Sequence, residues 1–266
     1  MRTITVINLK GGVGKTTTVI NMAAIMAMQG KQVLCMDCDP QANLTGFFGI
    51  RDAEKTCGST MAELLDLDAE GRSDQAEDYI IDTPMAGIQL IPASIELIRA
   101  DIASAYRGGN VRTISYLIQA LRFEAVDAGE PAPYDYILID CPPSFTAASV
   151  AAIYAADDII IPVESDAFSV SGLATLLRQI ESVRRIQPRV RVAGALITKW
   201  HRTPAVIQGE SALRGSNVPV FETVIRRSDK VTESIFLSRS LEDYSSRSAA
   251  AQDYRRFVAE YLEGVE

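Results

Sequence analysis

A short glycine-rich stretch between two regular patterns constrains the fold of this chain more than any other feature. Residues 8–17 read Asn-Leu-Lys-Gly-Gly-Val-Gly-Lys-Thr-Thr. An alternating apolar run from Thr3 to Ile7 predicts a strand before the stretch, and residues 16–28 have the apolar spacing of a helix after it. Glycines let the backbone approach an anion closely, and a helix start directs unpaired N–H groups at it. The stretch therefore predicts a phosphate-binding loop.

The residues at the end of this loop have chemistry suited to a nucleotide. Lys15 supplies a point charge for the β- and γ-phosphates, and the Thr16 hydroxyl can bind Mg²⁺. The residues of the loop predicted to contact the nucleotide are consecutive: Gly11, Gly12, Val13, Gly14, Lys15, Thr16 and Thr17.

Acidic residues follow two further predicted strands. Asp37 and Asp39 come after the strand of residues 32–36, and Asp140 ends the apolar strand of residues 136–139. In open α/β sheets, ligands bind at the carboxyl ends of the parallel strands. We therefore predict that Asp140 holds Mg²⁺ through water or assists the ligand in the loop. Asp37 is expected either in the Mg²⁺ shell or in support of the segment that follows it.

The loop departs from the usual phosphate-loop pattern in one respect. The pattern G-x-x-x-x-G-K-[ST] would place a glycine at position 9, but Leu9 stands there and Lys10 follows. A second lysine so near Lys15 is unfavourable unless additional phosphate balances its charge. Residues 10–17 resemble the deviant Walker A motif of the ParA/MinD ATPases.

Three further segments carry the same resemblance. Residues 37–43, Asp-Cys-Asp-Pro-Gln-Ala-Asn, and residues 140–144, Asp-Cys-Pro-Pro-Ser, are similar to the two switch segments of the family. Residues 223–233 resemble a stretch of the small, Soj-like ParA proteins, although Arg226 replaces a proline and Ser228 an asparagine. The resemblance therefore spans nearly the whole chain.

The resemblance implies an ATPase that uses ATP and Mg²⁺ and closes as a nucleotide-sandwich homodimer. Lys10 would reach the nucleotide of the other subunit, and Asp39 would position the attacking water, so that the implied catalytic residues are Lys10, Lys15 and Asp39. The leading hypothesis is a DNA-partitioning ATPase that coats nucleoid DNA non-specifically and is released by a ParB-like partner. The alternative is a MinD-like ATPase that binds a membrane through its C-terminal helix.

Alternating strand and helix patterns predict an α/β fold, a P-loop NTPase with a mostly parallel twisted sheet and helices on both faces, as a single domain over residues 1–266. Further strands are predicted at residues 87–92, 158–163, 190–198 and 219–225. Further helices are predicted at residues 111–123, 146–154 and 170–186.

A local basic surface is the expected contact for DNA. The net charge of −8 argues against a globally basic nucleic-acid binder, but association depends on the field at the contacting face. Three basic residues lie within five positions after a strand and are the predicted DNA contacts: Arg226, Arg227 and Lys230. Four more could extend this surface: Arg202, Arg214, Arg239 and Arg247.

The C-terminal segment decides between the two hypotheses. Its apolar stripe at helical spacing comprises Tyr254, Phe257, Val258, Tyr261, Leu262 and Val265. The opposite face is mostly acidic, whereas an anionic bilayer attracts lysine and arginine. We therefore expect the segment to pack on the domain rather than on a membrane.

Other classes of function have little support in the sequence. His201 is the only histidine, which leaves no histidine-based hydrolytic triad, and it is expected in a surface loop. Cys35 and Cys38 begin inside a predicted strand and face opposite sides, which disfavours metal binding. No apolar run approaches the roughly 20 residues that span a bilayer, and no signal peptide is evident. The sequence predicts a cytoplasmic protein associated with the nucleoid.

Overall fold

The described residues fold around one eight-stranded sheet. The computed structural model describes residues 1–57, 59–66, 75–107, 111–166 and 169–265. The strands are β1 (Arg2–Val6), β2 (Val33–Asp37), β3 (Ile81–Asp82), β4 (Ile88–Ile91), β5 (Tyr136–Asp140), β6 (Asp158–Glu164), β7 (Arg191–Trp200) and β8 (Val220–Arg226). Their order is β3-β4-β2-β5-β1-β6-β7-β8, and all neighbours are parallel except β3 and β4. The predicted fold class is confirmed.

Helices connect the parallel strands. They are α1 (Lys15–Met28), α2 (Asn43–Phe47), α3 (Ala53–Thr56), α4 (Met61–Leu65), α5 (Leu97–Arg107), α6 (Thr113–Ala128), α7 (Ala147–Ala155), α8 (Ser169–Arg184), α9 (Pro204–Arg214), α10 (Asp229–Phe236), α11 (Leu241–Ser245) and α12 (Ala249–Glu263). None of the helices within the described ranges is long and apolar enough to cross a membrane.

The sheet is buried on both faces, which explains why its central strands are mostly apolar on both sides rather than alternating between apolar and polar residues. On β5, Ile137 and Ile139 belong to a core shared with α6, α7 and α8, whereas Leu138 belongs to a second core shared with α1 and α12. Cys38 and Cys35 lie in the first and second core respectively, as their spacing predicts.

Strand register brings the predicted site residues together at the carboxyl ends of the strands. β5 lies between β1 and β2, with Asp140 opposite both Val6 and Asp37. The loops that follow these three strands therefore leave the sheet side by side, at the carboxyl ends where ligands bind in this class of fold.

The C-terminal helix α12 packs on the second face and closes the β8 edge of the sheet. Phe257 is fully buried and Tyr261 is 2% exposed. The Glu260 carboxylate accepts hydrogen bonds from the backbone N–H groups of Glu222 (2.6 Å) and Thr223 (2.9 Å). The apolar stripe thus packs on the domain, and its acidic neighbours satisfy donors of an edge strand that would otherwise be open to another chain.

Candidate nucleotide and magnesium site

The glycine loop has the backbone shape that a phosphate cradle requires. Gly12 and Gly14 adopt left-handed conformations, with φ of 77° and 88°, which side chains with a Cβ rarely adopt. α1 begins at Lys15, directly after Gly14, and no side chain of the described residues caps its N-terminus. The N–H groups of its first turn are therefore available to an anion.

Lys15 is folded back over this loop. It is 7% exposed, and its Nζ donates a hydrogen bond to the Lys10 carbonyl oxygen at 3.2 Å. Burial lowers the pKa of Lys15, although the nearby Asp140 carboxyl opposes the shift. A bound phosphate would supply the negative charge that favours the ammonium form here.

The pair Thr16 and Asp140 has the chemistry of a Mg²⁺ site. The Thr16 hydroxyl donates to Asp140 Oδ2 at 2.6 Å, while Oδ1 of the fully buried Asp140 has no hydrogen-bond partner among the described residues. Burial, followed by repulsion from Asp37, raises the pKa of Asp140 well above its usual value. An orphaned carboxylate oxygen beside a hydroxyl and a second carboxylate fits a divalent cation, which prefers oxygen ligands.

Asp37 is occupied by the segment that follows it. Its Oδ2 accepts from the Thr45 hydroxyl at 2.7 Å and the Thr45 N–H at 2.9 Å, and its Oδ1 accepts from the Asp39 N–H at 3.1 Å. Burial raises the pKa of Asp37 to about 6. These contacts fit the supporting role among the two expected for Asp37, and a direct place in the Mg²⁺ shell stays a prediction.

Asp39 lies at the opening of the loop. It is 7% exposed, accepts from the Gln41 N–H at 2.9 Å, and lines the same opening as Lys15 and Thr16. The structure therefore brings this carboxylate to the phosphate cradle, where orienting a water is its predicted task.

A larger cleft of about 600 Å³ adjoins the loop on its other side. Its floor includes Gly14 and Thr17, and its apolar wall is formed by Ile225, Val231 and Ile235. A volume of this size suits the sugar and base of a nucleotide. The loop is fixed to β7 at this point, because the Thr198 hydroxyl donates to the Val13 carbonyl at 2.9 Å.

Two carboxylates at the end of β6 were not predicted from the sequence. Asp166 forms an ion pair with Lys10, and Glu164 forms one with Lys199 at 2.8 Å. The same rule that indicated Asp37 and Asp140, acidic residues at the end of a parallel strand, could have found them. The loop after β6 is packed tightly against α9: a Cβ on Gly209 would lie 2.8 Å from the Ser165 carbonyl oxygen.

The three predicted DNA contacts have different environments. Arg226 is bound in two places by Asp253, through Nε at 2.7 Å and a terminal nitrogen at 2.8 Å. Lys230 pairs with Glu233 at 2.6 Å. Arg227 is exposed, and its side chain has no hydrogen bond or ion pair with the part of the chain that the structure describes.

The four residues proposed to extend the basic surface divide in the same way. Arg214 is bound to Glu210 and Arg239 to Asp243. Arg202 and Arg247 are exposed. A DNA contact by Arg226, Arg227 or Lys230 stays a prediction. Among these three, Arg227 is the one whose charged group is accessible without breaking a contact with another described residue.

The phosphate loop, the Thr16–Asp140 pair and the carboxylates at neighbouring strand ends define a P-loop ATPase of the α/β class. Residues 1–192 match the AAA domain family. Over its whole length the chain is 34% identical to the chromosome-partitioning ATPase Soj of Thermus thermophilus and covers 97% of that protein. The chain belongs to the ParA/MinD family of ATPases.

Solved structures agree with this assignment. The structure of apo McdA from Cyanthece superposes with a TM-score of 0.83 over 98% of this chain and 99% of that one, at 24% identity, and supports the fold. The cobyrinic acid a,c-diamide synthase of Mycobacterium smegmatis, solved with an ATP analogue and magnesium, has a TM-score of 0.78 and 29% identity over 99% of this chain and 95% of that one. This chain is an ATPase with ATP and Mg²⁺ as its ligands, and a ParA-like positioning ATPase by family.

Proposed function

We propose that this ATPase partitions DNA: it closes as an ATP-bound homodimer, binds DNA without sequence preference, and is released when a ParB-like partner stimulates hydrolysis. The observation that carries the proposal is the similarity to a chromosome-partitioning ATPase over the whole chain, combined with the second lysine of the loop. The cargo is a DNA molecule under this proposal.

The site residues have separate tasks in the proposed reaction. Lys15 and the first turn of α1 bind the phosphates, and Thr16 and Asp140 would hold Mg²⁺. The cation supplies positive charge for the phosphate oxygens that become more negative during transfer. Asp39 orients the attacking water, and Asp37 keeps that residue in place through Thr45 and the Asp39 N–H.

Lys10 is the residue through which we expect the two subunits to depend on each other. In the monomer it is held by Asp166, and both side chains are partly exposed, at 42% and 37%. An exposed ion pair contributes little free energy, so a triphosphate on a second subunit can replace Asp166 as the partner. Dimerisation would then require ATP, because ATP supplies the competing anion.

Arg227 is the proposed contact to the DNA backbone. It follows β8, and its backbone N–H donates to the Trp200 carbonyl at 2.8 Å, which fixes the position of its Cα while the guanidinium stays exposed. A dimer presents two copies of this side chain. Phosphate contacts of this kind give affinity without sequence preference and a steep dependence on salt.

The test compares ATP-bound parent and Arg227→Ala proteins in DNA binding at several salt concentrations. We expect the variant to bind duplex DNA at least about tenfold more weakly, with the log–log salt slope flatter by roughly one for each phosphate that is no longer neutralised. Arg189→Ala is the matched control, because Arg189 is an exposed arginine before β7, at the opposite end of that strand from the cleft. Its DNA affinity should equal the parent's.

Two results would contradict the proposal. A parent protein that does not associate with DNA at low salt in the presence of ATP would reject DNA partitioning. If Arg227→Ala loses ATP affinity in parallel with DNA affinity, the arginine serves the nucleotide rather than DNA.

The membrane alternative receives no support from the C-terminal helix. Its apolar residues Phe257, Val258 and Tyr261 are at most 2% exposed, so that lipid contact would require α12 to leave the sheet. ATP turnover should accordingly rise with DNA and a ParB-like partner, and not with anionic lipid vesicles.

A further inference from the structure

A lysine outside the glycine loop lies against it. Lys199 is near the end of β7, and its Nζ is 4.0 Å from the position that a Cβ on Gly12 would occupy. It lines the nucleotide cleft together with Gly14 and Thr17. The ammonium group is therefore at the loop backbone, although it comes from a strand two positions away from β1 in the sheet.

The backbone of β7 is irregular where it presents this side chain. Lys199 has a φ of 51°, which is uncommon for a residue with a Cβ, and the pairing of β7 with β8 shifts register between Ile197 and Trp200. Such irregularities redirect side chains and are concentrated near functional sites. The neighbouring Trp200 is fixed by a hydrogen bond from its Nε1 to Glu210 at 2.8 Å, which holds the irregular segment in place.

The partner of Lys199 is exchangeable. Glu164 is 2.8 Å away, and the side chains of Lys199 and Glu164 are 51% and 29% exposed. A solvent-accessible pair of this type is weak compared with charge-assisted hydrogen bonds to a phosphate held in a cradle. An anion in the loop can therefore take the ammonium group from Glu164.

We infer that Lys199 is a nucleotide-binding residue that contacts the α- or β-phosphate of the bound nucleotide. The backbone of a P-loop cradles these two phosphates, and Gly12 belongs to that backbone. Because ADP and ATP share both phosphates, Lys199 contributes to the binding of either. This distinguishes it from Lys10, whose proposed partner is the nucleotide of another subunit. The inference depends on ATP binding alone and not on DNA partitioning.

The test measures dissociation constants of Mg-ADP and a slowly hydrolysed ATP analogue by calorimetry for Lys199→Met, Lys199→Arg and the parent. Loss of one charge-assisted hydrogen bond predicts about tenfold weaker binding of both nucleotides to Lys199→Met. Lys199→Arg should stay close to the parent, and the affinity of Lys199→Met should depend less on salt. Glu164→Gln should bind both nucleotides more tightly, because it removes the competing carboxylate.

The controls separate a phosphate contact from other effects. Lys31→Met removes a lysine just before β2, at the opposite end of the sheet, and should bind ADP as the parent does. Unfolding midpoints without nucleotide should agree among the variants. The inference is overturned if Lys199→Met binds ADP with parental affinity, if the loss is confined to the ATP analogue, or if affinity for adenosine, which has no phosphate, falls by the same factor.

Discussion

Single residues at the strand ends differ in what their oxygens already bind, and this separates their tasks. Both oxygens of Asp37 accept hydrogen bonds from the chain, whereas Asp140 has one bonded and one orphaned oxygen among the described residues. Two buried carboxylates on adjacent strands repel each other unless a cation or a proton intervenes. The orphaned oxygen of Asp140 is thus the better place for Mg²⁺, and Asp37 is better suited to hold Asp39.

Asp39 should affect the chemical step and not nucleotide binding. Asp39→Ala is expected to bind ATP with near-parental affinity and to turn it over about 10²- to 10⁴-fold more slowly, the usual effect of losing a positioned proton-accepting group. Single-turnover hydrolysis measures the step, and light scattering should show that the variant accumulates as an ATP-bound dimer. Asp52→Ala, which removes an exposed aspartate from the N-terminus of α3, is the control. Parental turnover by Asp39→Ala would make Asp39 a turn residue only.

At the scale of elements, α12 is the structural partner of β8. Asp253 and Glu260 lie seven residues apart and so on one side of the helix, and they accept hydrogen bonds from the N–H groups of Arg226, Glu222 and Thr223. The carboxylates of the helix therefore accept hydrogen bonds that the backbone of a ninth strand would otherwise accept at this edge. The contact with Asp253 also explains why the side chain of Arg226 is bound internally, whereas that of the next residue, Arg227, is exposed.

Removing one of these acceptors should cost stability. Glu260→Ala leaves two backbone N–H groups of β8 without their carboxylate, for which we expect a loss of about 1–3 kcal/mol in the free energy of unfolding, measured with urea. Glu263→Ala, an exposed glutamate one turn later on the same helix, should change it by less than about 0.5 kcal/mol. Equal losses in the two variants would show that the edge contacts contribute nothing specific.

At the scale of the whole molecule, one buried carboxylate joins distant parts of the chain. Asp158 at the start of β6 accepts hydrogen bonds from Arg2 of β1 (2.6 Å), Arg191 of β7 (2.7 Å) and Tyr261 of α12 (2.8 Å). Burial alone would raise the pKa of Asp158, but the hydrogen bonds from Arg191, Arg2 and Tyr261 outweigh it and lower the pKa below its ordinary value of 3.8.

This network predicts a defined pH dependence of stability. Because the pKa of Asp158 is lower in the folded protein, this carboxylate is protonated in the unfolded chain at a higher pH than in the folded one. The stabilisation is therefore complete above pH of about 4 and is lost as the pH falls through the folded-state pKa. Asp158→Asn should be less stable than the parent at pH 7 by about 2 kcal/mol, and this difference should shrink below pH 4. Tyr261→Phe removes one neutral donor and should cost about 1 kcal/mol. A stability difference between Asp158→Asn and the parent that does not change with pH would contradict the assignment.

The parts of the structure that could be predicted are those whose cause is local. Strands β1, β5 and β6 and helices α1 and α7 follow from apolar periodicity and agree with the predicted limits within about two residues. The short helix α2 was missed because its start depends on contacts between Thr45 and Asp37, and α9 was missed although Thr203 and Pro204 form an ordinary helix start.

Contacts between residues far apart in the chain could not be predicted from the sequence. The pairing of Arg226 with Asp253 joins residues 27 positions apart, and that of Lys10 with Asp166 joins residues 156 apart. No spacing rule selects these partners, because they are set by which helix packs on which strand. For the same reason, sequence reasoning placed Arg226, Arg227 and Lys230 in one patch, whereas the fold leaves only Arg227 of the three without an internal partner among the described residues.

The close packing of Gly209 ties α9 to the segment that follows β6. A side chain at position 209 would collide with the Ser165 backbone, so either α9 or the segment between Glu164 and Asp166 would have to move. That segment holds the partners of Lys199 and Lys10. A bulkier residue at this one position of α9, which lies outside the phosphate loop, would therefore disturb the ion pairs of both lysines.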